Sequence, residues 1–323
     1  MFAFLKLIRF KNLLIIGFTQ YAIRHCLMSP ILHLSNFNLQ MQEWEFFLLV
    51  LATIFITAGG YIINDYFDHR IDAVNKPEKI IIDKEIKRRV AMGAHAVLST
   101  VGVSIGIYIA WKSNLLLSGG TMFCLMVIGL WYYSTHFKYQ FLTGNLIVSL
   151  LTATAPFMVL FFELPLIIKK YNAELLVQLK DYGFAINTTL LLWVGAYTLF
   201  AFLTTLIREI LKDMEDMEGD KEFGCKTLPI VIGINKSKLV LFGLILITII
   251  GIGVCQNYLT SRLKVNFSAL YFLIFVQLPF LFLLIYIIRS KEKKQFHFAS
   301  QVIKGIMLAG VCYLLFLKFF ILK

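Results

Sequence analysis

The chain has 323 residues and a net charge of +12, and 59% of its residues are apolar while only 15% are charged. A soluble domain of ordinary composition is about half apolar and about a quarter charged. A water-soluble fold and a disordered chain are both excluded, because 30 Phe and long uncharged runs of Leu, Ile and Val need the bilayer as their solvent. The five Cys form no CxxC pair, so the sequence offers no thiolate zinc site and no disulfide framework.

Apolar runs of about twenty residues, the length that crosses about 30 Å of hydrocarbon, occur nine times along the chain. Each run must be a helix, because a lipid-exposed strand edge would leave backbone groups unpaired. The first run follows basic residues as a signal peptide does, but its length and its internal Arg24 predict a retained helix. The sequence therefore predicts an all-α integral membrane protein with nine transmembrane helices. Their approximate ranges are 12–33, 46–66, 94–111, 115–135, 141–163, 188–210, 238–258, 267–288 and 300–321.

Lysine and arginine residues are distributed unequally between the two faces that these spans define. The loops on the face of the N-terminus contain 20 of them, and the loops on the other face contain 7. Because cytoplasmic loops of membrane proteins are enriched in Lys and Arg, the N-terminus is predicted in the cytoplasm and the C-terminus outside. The same enrichment accounts for the positive net charge, so no nucleic acid partner is expected. We expect the protein to lie in the inner membrane of the cell.

Acidic residues are concentrated in two short windows. Thirteen of the 19 Asp and Glu residues lie within 65–85 and 209–222. These windows follow the second and the sixth predicted spans, and the four crossings between them return the chain to the same face of the membrane. Both windows are therefore expected at the cytoplasmic surface.

Each window contains three aspartates at positions i, i+3 and i+7, which a continuing helix would place on one face. They are Asp65, Asp68 and Asp72 in the first window and Asp213, Asp216 and Asp220 in the second. Like charges at this spacing repel, so a cation is expected to bind there. Carboxylate oxygens suit Mg²⁺, which is commonly held by a few carboxylates together with a substrate phosphate. The duplication favours a site for a metal-bound diphosphate with an apolar tail, while solvated acidic loop ends are the alternative.

At these residues the chain resembles the UbiA superfamily of intramembrane prenyltransferases. Residues 64–72 read NDYFDHRID and match its first motif, NDxxDxxxD, at every defined position. Residues 208–220 match its second motif, in which Tyr or Arg precedes KDxxDxxxD by a turn, and residues 224–229 are similar to its usual continuation. The resemblance implies a single domain over residues 1–323, built as a nine-helix bundle around a central cavity. It also implies cytoplasmic cap loops after helices 2 and 6.

The resemblance further implies the chemistry and the residues that perform it. Members of this superfamily ionise a prenyl diphosphate donor and transfer its isoprenoid chain to an electron-rich acceptor, with Mg²⁺ holding the diphosphate. The metal ligands that it implies are Asn64, Asp65, Asp68, Asp72, Asp213, Asp216 and Asp220. The residues that it implies as catalytic are Asp68, Asp72, Asp216 and Asp220. The residues that it implies as substrate-binding, besides Asn64, are the basic Arg208, Lys212 and Lys79.

The acceptor is predicted from the first motif and its continuation. The string NDYFD, followed by Ile71-Asp72 and Asn75-Lys76-Pro77, is most similar to the branch that contains the digeranylgeranylglyceryl phosphate synthases. A membrane lipid such as geranylgeranylglyceryl phosphate is therefore the predicted acceptor. Quinone-type and chlorophyll-type prenyltransferases share parts of the string, so an aromatic acceptor is the alternative. The branch commonly continues with PxRP, whereas this chain has Lys79 in place of the Arg and loses its bidentate fork.

A secondary transporter is the competing function from another class, since transporters also place acidic residues in helices. Their sites lie near the bilayer midplane, however, and these acids are predicted at one edge of the membrane.

Polar residues outside the two windows bear on the site as well. Arg24 lies inside the first predicted span and is a candidate to bind the phosphate or carboxylate of the acceptor, while snorkelling or a structural ion pair is the alternative. Asn145 and Lys138, near the start of the fifth span, resemble a polar stretch of the superfamily, and a hydrogen bond between helices explains Asn145 equally well. Gly102 and Gly106 form a GxxxG pattern, which is typical of close helix packing.

Overall fold

The computed structural model describes residues 2–34, 36–182, 186–263 and 266–320. Side chains are described at these positions except at 79, 172–182, 258–263, 266–267 and 320. Within the described ranges every regular element is helical and no strand forms, apart from one isolated bridge between Ile82 and Ile86. The prediction of an all-α chain is confirmed.

The described chain contains fourteen α-helices. In chain order they are α1 Phe2–Leu7, α2 Phe10–Ala22, α3 Ser29–His33, α4 Glu43–Asn75, α5 Arg88–Lys112, α6 Leu116–Thr135, α7 Thr143–Tyr182, α8 Ile186–Glu215, α9 Met217–Glu222, α10 Leu228–Ile232, α11 Ile234–Leu263, α12 Asn266–Phe272, α13 Leu278–Arg289 and α14 Lys293–Phe320. Two π-helical segments, Ile23–Met28 and Leu273–Gln277, join α2 to α3 and α12 to α13.

Eight helical stretches of the described chain are long and apolar enough to cross a membrane. They are Glu43–Asn75, Arg88–Lys112, Leu116–Thr135, Thr143–Tyr171, Ile186–Glu215, Ile234–Asn257, Ser268–Arg289 and Lys293–Phe319. These stretches correspond to the second to the ninth predicted spans. Several are longer than the apolar signal, because a helix continues through polar residues once it has left the hydrocarbon. The extension of α4 from 66 to Asn75 is the important one, since it makes the first acidic motif helical.

The first predicted span, 12–33, is helical along its length, but α2, the π-helical segment and α3 divide it. Within the π turn the Ser29 N–H donates to the Arg24 carbonyl, five residues back. This pattern inserts an extra residue into the helix and offsets the turns on either side. No single α-helix in this stretch therefore has the length of a span. The crossing at 12–33, and with it the total of nine, stays a prediction.

The helices group into two compact units. One comprises Met1–Thr135 and Thr154–Thr198, and the other comprises His136–Ala153 and Leu199–Lys323. The first acidic motif belongs to the first unit and the second motif belongs to the second unit.

In the first unit, α5 packs closely against α4 and against α6, and each close approach is at a glycine of α5. A Cβ atom on Gly102 would lie 2.8 Å from the side chain of Ile56 on α4, and a Cβ atom on Gly106 would lie 2.4 Å from the ring of Phe123 on α6. Neither contact leaves room for a methyl group, so the prediction of close packing at the GxxxG pattern is confirmed. The helix that carries the first motif is thus held by tight packing along its membrane-spanning part.

In the second unit, α8, α11, α13 and α14 share an apolar core. Its buried side chains include Ile207, Ile210, Leu211, Leu241, Ile245, Phe280, Leu283, Phe296, Ala299 and Ile303. The α8 members of this core, Ile207, Ile210 and Leu211, lie at the start of the second motif. Packing of that end of α8 therefore positions the motif.

Large apolar side chains remain exposed along the long helices. Leu117 is 83% exposed, Leu239 is 70% exposed and Val254 is 65% exposed. Exposure of so many large apolar side chains is costly in water and is the normal condition of a lipid-facing surface. The protein is an integral membrane protein.

Candidate functional site

The first motif lies on one uninterrupted helix, the C-terminal part of α4. Asn64, Asp68 and Asp72 occupy an arc of about 80° on that helix, since each residue turns by about 100°. Asp68 is only 2% exposed, and the Asn64 amide donates a 2.6 Å hydrogen bond to its Oδ2. The expected single face of polar oxygens is present. It lies in the last three turns of α4, where the negative end of the helix dipole adds to the carboxylate charges and increases the need for a cation.

Asp65 is engaged by the N-terminal segment of the chain. The Arg9 guanidinium Nη2 lies 2.7 Å from Asp65 Oδ1. The Cζ atom of Arg9 lies 4.8 Å from the ring centroid of Tyr61, which is one turn earlier on α4. Leu7 is fully buried in the same region against Ile62. The turn between α1 and α2 is therefore attached to α4 beside the motif.

The loop after α4 folds back onto its own unit. Pro77–Lys79 form a short 3₁₀ turn whose Pro77 carbonyl accepts a 2.7 Å hydrogen bond from Lys84 Nζ. Ile82 is 2% exposed and is packed against Leu7, Ile62 and Ala91. The side chain of Lys79, which was predicted to bind substrate, lies outside the described side chains.

The second motif lies across a break in the helix. α8 ends at Glu215, and Asp216, with φ −97° and ψ 7°, joins it to α9. The Asp216 N–H still donates to the Lys212 carbonyl at 2.8 Å, and the Asp220 N–H donates to the Asp216 carbonyl at 3.1 Å. These i to i−4 bonds preserve the helical register through the bend. Lys212, Asp216 and Asp220 therefore stay one turn apart along the chain.

The two basic residues of the second motif share one acidic partner, Glu209. Arg208 Nη1 lies 3.1 Å from Glu209 Oε1, and Lys212 Nζ lies 2.8 Å from Oε1 and 3.0 Å from Oε2 of the same carboxylate. Glu209 is buried. Sequence reasoning did not assign it a role, although it is the acid that brings both predicted phosphate-binding cations to one point.

Asp213 accepts a 2.7 Å hydrogen bond at Oδ2 from the side-chain amide of Asn145 on α7. Asn145 is buried, and both residues belong to the second unit. The hydrogen bond between helices that was one of two explanations for Asn145 is therefore present, and it ends on a motif aspartate.

The chain leaves the second motif through a turn that needs glycine. Gly224 has a φ of +73°, and the following Cys225 N–H donates to the Asp220 carbonyl at 2.9 Å. The Lys226 N–H then donates to the Tyr139 carbonyl at 2.8 Å, before α10 begins. This turn ties the end of the motif to the segment that precedes α7.

Arg24 lies at the other end of α4 from the first motif. Its guanidinium donates to the Met41 carbonyl, lies 3.5 Å from Glu43 Oε1 and 3.8 Å from Glu163 Oε2, and is itself 1% exposed. Twenty-one residues of continuous helix separate Glu43 from Asn64, a length of about 30 Å. The structure therefore does not bring Arg24 to the first motif, and its contacts are those of the structural ion pair that was the alternative.

Comparison with known proteins identifies the family of the chain. Residues 34–302 match the profile of the UbiA prenyltransferase family. The chain belongs to this family. It is therefore a prenyltransferase, and the resemblance found at the two motifs is confirmed.

Related UbiA proteins are similar along most of the chain. A digeranylgeranylglyceryl phosphate synthase of Methanothermobacter thermautotrophicus is 32% identical over 266 residues, which are 81% of this chain and 82% of the relative. A protein of the same name from Sulfurisphaera tokodaii is 34% identical over 64% of this chain and 68% of the relative.

Solved structures show that the fold is shared as well. A digeranylgeranylglyceryl phosphate synthase structure covers 96% of both chains with a TM-score of 0.61 at 24% identity. A UbiA homolog from Aeropyrum pernix K1 covers 92% of this chain and 96% of its own, with a TM-score of 0.60 at 13% identity. A UbiA homolog from Archaeoglobus fulgidus, bound to DMAPP and Mg²⁺, covers 98% of both chains with a TM-score of 0.50 at 15% identity.

The polar groups of the UbiA motifs fit Mg²⁺ by their chemistry. Each motif offers carboxylate oxygens, and the first adds the amide of Asn64. In the part of the chain that the structure describes, no group of three or more His, Cys, Asp and Glu side chains is arranged to hold a metal ion alone. Mg²⁺ is usually bound by one or two carboxylates, and substrate phosphates and water complete its coordination. A pair of carboxylates such as Asp68 and Asp72 has the chemistry that such a site would require of the protein.

Proposed function

We propose that the enzyme transfers an isoprenoid chain from a prenyl diphosphate to the free hydroxyl of geranylgeranylglyceryl phosphate or a similar membrane lipid. The observation that carries the proposal is 32% identity over 81% of the chain to a relative named as a digeranylgeranylglyceryl phosphate synthase, in a chain with both UbiA motifs. In the reaction the bond between C1 of the prenyl group and the diphosphate oxygen breaks, and the diphosphate leaves with the electron pair. An ether bond then forms between C1 and the acceptor oxygen, and the hydroxyl proton is released.

Both motifs are proposed to act on one diphosphate. Asn64, Asp68 and Asp72 from the first motif and Asp216 and Asp220 from the second would hold magnesium against the phosphate oxygens. When bound, Mg²⁺ neutralises the negative charge that develops on the departing diphosphate. This assignment is supported by the donor chemistry of the two motifs and by their shared helical register.

Arg208 and Lys212 are proposed to bind the diphosphate directly. Both cations contact Glu209 in the structure, at 3.1 Å and 2.8 Å. An arriving phosphate would compete for the same N–H donors, and Arg and Lys make strong charge-assisted hydrogen bonds to phosphate. Glu209 thus keeps the two cations together and oriented while the donor is absent.

The proposed topology has nine crossings, with the N-terminus in the cytoplasm and the C-terminus outside, in the inner membrane of the cell. The helical stretch Phe10–His33 would be the first crossing, despite its π-helical segment. The two units would form a single domain over 1–323, with a central cavity and cytoplasmic cap loops after helices 2 and 6. The family match supports one domain, because residues 34–302 include parts of both units.

Burial in the membrane has a chemical purpose in this proposal. A prenyl cation reacts with water, so the donor must ionise where water is excluded. A cavity surrounded by apolar helices would supply that exclusion. The lipid acceptor would reach it from the bilayer.

An assay of purified protein in nanodiscs tests the function directly. Prenyl diphosphates of increasing chain length are paired with geranylgeranylglyceryl phosphate or with an aromatic acceptor in the presence of Mg²⁺, and products are identified by mass. We expect the ether of the glycerophosphate lipid, and chelation with EDTA should abolish its formation. An aromatic product alone would assign the enzyme to the aromatic alternative. Donor transport into vesicles without any product would contradict the enzymatic function.

A further inference from the structure

The first aspartate of each motif is held by a polar side chain from elsewhere in its own unit. Arg9 Nη2 lies 2.7 Å from Asp65 Oδ1, and Asn145 Nδ2 donates to Asp213 Oδ2 at 2.7 Å. Asp65 and Asp213 occupy the same position in the repeated i, i+3, i+7 pattern. We infer that these two aspartates are positioning residues and not metal ligands, and that Arg9 and Asn145 fix the motif helices through them.

The backbone at Arg9 indicates that its side chain is needed there. Arg9 has φ 51° and ψ 51°, a left-handed conformation that is uncommon for a residue other than glycine. The turn between α1 and α2 would form with less strain if this position were glycine. The guanidinium instead contacts the Asp65 carboxylate and the face of the Tyr61 ring. The strained turn therefore places a cation on the edge of the first motif.

The Asn145 contact has a defined polarity. The amide nitrogen of Asn145 donates the hydrogen bond, and Asp213 Oδ2 accepts it. Asn145 is 6% exposed, and the contact joins the start of α7 to the end of α8. The contact between the buried Asn145 amide and the half-buried Asp213 holds the two helices in one register, because separating them would leave a buried amide unsatisfied.

Charge balance explains why the Asp65 carboxylate would not also bind metal. A guanidinium at 2.7 Å already compensates the charge of Asp65, and a divalent cation at the same carboxylate would be repelled by it. Setting Asp65 and Asp213 aside leaves an i+3 and i+7 pair in each motif. One or two carboxylates with phosphate and water are the usual protein share of a Mg²⁺ site.

This inference rests on the proposed function, since it divides the work among the residues of a diphosphate site. It makes Arg9 and Asn145 supporting residues of that site. Partners that orient a ligand helix or ligand side chain typically affect metal affinity or activity by about 10- to 100-fold when they are lost.

An exchange of donor and acceptor at 145 and 213 tests the inference. Asn145→Asp places two carboxylates in contact and should lower turnover by about tenfold or more. Combining it with Asp213→Asn restores one hydrogen bond of the same length with its polarity reversed, so turnover should return to within about threefold of wild type. If Asp213 were a metal ligand, the double variant would stay as inactive as Asp213→Ala.

Metal binding gives a readout that does not depend on turnover. Mn²⁺ binding is measured by electron paramagnetic resonance in the presence of geranylgeranyl thiolodiphosphate, which does not ionise readily. Asp65→Asn and Asp213→Asn keep an oxygen that accepts the hydrogen bond from Arg9 or Asn145, so the Mn²⁺ affinity should stay within about threefold of wild type. Asp68→Asn and Asp216→Asn should weaken it by about tenfold or more. Equal losses at all four positions would overturn the inference.

Arg9 is tested by a pair of substitutions at the strained turn. Arg9→Gly removes the backbone strain of the left-handed conformation. The substitution should therefore not lower the thermal unfolding midpoint in detergent by adding strain. Turnover should nevertheless drop by about tenfold, and Arg9→Lys should recover part of it, because Lys keeps the charge without the fork. Full turnover in Arg9→Gly would overturn the assignment of Arg9.

The two proposals fail in different ways. A wild-type protein that neither binds Mn²⁺ with the analogue nor makes any prenylated product would contradict the proposed function, and this inference with it. A wild-type protein that does both, while Asp213→Asn loses Mn²⁺, would contradict the inference alone.

Discussion

The two motifs share one spacing, yet the backbone beneath them differs. The first lies on α4 without interruption as far as Asn75. In the second, α8 ends at Glu215 and Asp216 turns the chain into α9, while backbone hydrogen bonds on both sides keep the register. The repeated spacing therefore specifies that the carboxylates share a face, and it does not specify a continuous helix.

The motifs also differ in the groups that surround their aspartates. Four residues before Asp213 lies Glu209, which contacts Arg208 and Lys212, whereas the residue four before Asp65 is Tyr61. The first motif has Asn64 where the second has Lys212. In the proposed function, the first motif therefore contributes mainly oxygen ligands, and the second adds cations for the phosphate.

The largest expected effect is common to both motifs, and it tests whether they act on the same step. Asp68→Ala and Asp216→Ala should each lower turnover by at least about a hundredfold, because each removes charge that would hold the metal-bound leaving group. Turnover is measured with saturating donor and Mg²⁺, and thermal unfolding in detergent checks that the variants fold. Glu218→Gln, which removes an exposed acid of α9, is the matched control. A normal rate in either aspartate variant would show that the two motifs do not act on the same step.

A smaller effect should appear in the second motif alone. Glu209→Gln removes the charge that keeps Arg208 and Lys212 together. The KM for the prenyl diphosphate should therefore rise by about tenfold, while kcat changes less. Steady-state kinetics over a range of donor concentrations separates the two constants. Glu222→Gln removes an exposed acid from the same window and should leave both constants at their wild-type values. A loss confined to kcat would show that Glu209 does not act through the phosphate-binding cations.

The long helices were predictable because about twenty consecutive apolar residues are a direct physical requirement of the bilayer. Their ends were not, since the apolar signal stops at the membrane surface while α4 continues through Asp68 and Asp72 to Asn75. The π-helical segment Ile23–Met28 also has no signature in the apolar pattern, because an extra residue in a turn leaves a run of Leu, Ile and Met equally apolar. Local hydrogen bonding decides both features.

The motif aspartates were predictable because their spacing is repeated within the chain. Their partners were not, since Arg9 and Asn145 are 56 and 68 residues away from the carboxylates that they contact. Arg9 is one of several basic residues before the first span, and nothing in sequence distinguishes it from a lipid-facing Lys or Arg. Arg24 shows the opposite case, because an isolated charge inside a span attracts a functional interpretation while its structural partner, Glu163, lies far along the chain.

The smallest expected effect concerns how the chain leaves each motif. After the first motif, Lys76 has a φ of −147°, which any residue adopts. After the second motif, Gly224 has a φ of +73°, and an L side chain there is strained by about 1 kcal/mol. No atom lies within 4 Å of a Cβ built on Gly224, so Gly224→Ala should destabilise the protein through its backbone alone.

Gly93 provides the comparison, because a Cβ built there also has no atom within 4 Å, but the residue lies inside α5. Gly93→Ala should stabilise the helix by up to about 1 kcal/mol, since alanine has the higher helix propensity. Thermal unfolding midpoints in the same detergent should therefore move in opposite directions for the two variants. A rise in both would mean that the turn after Asp220 relaxes to a negative φ, and that the exits from the two motifs are equivalent after all.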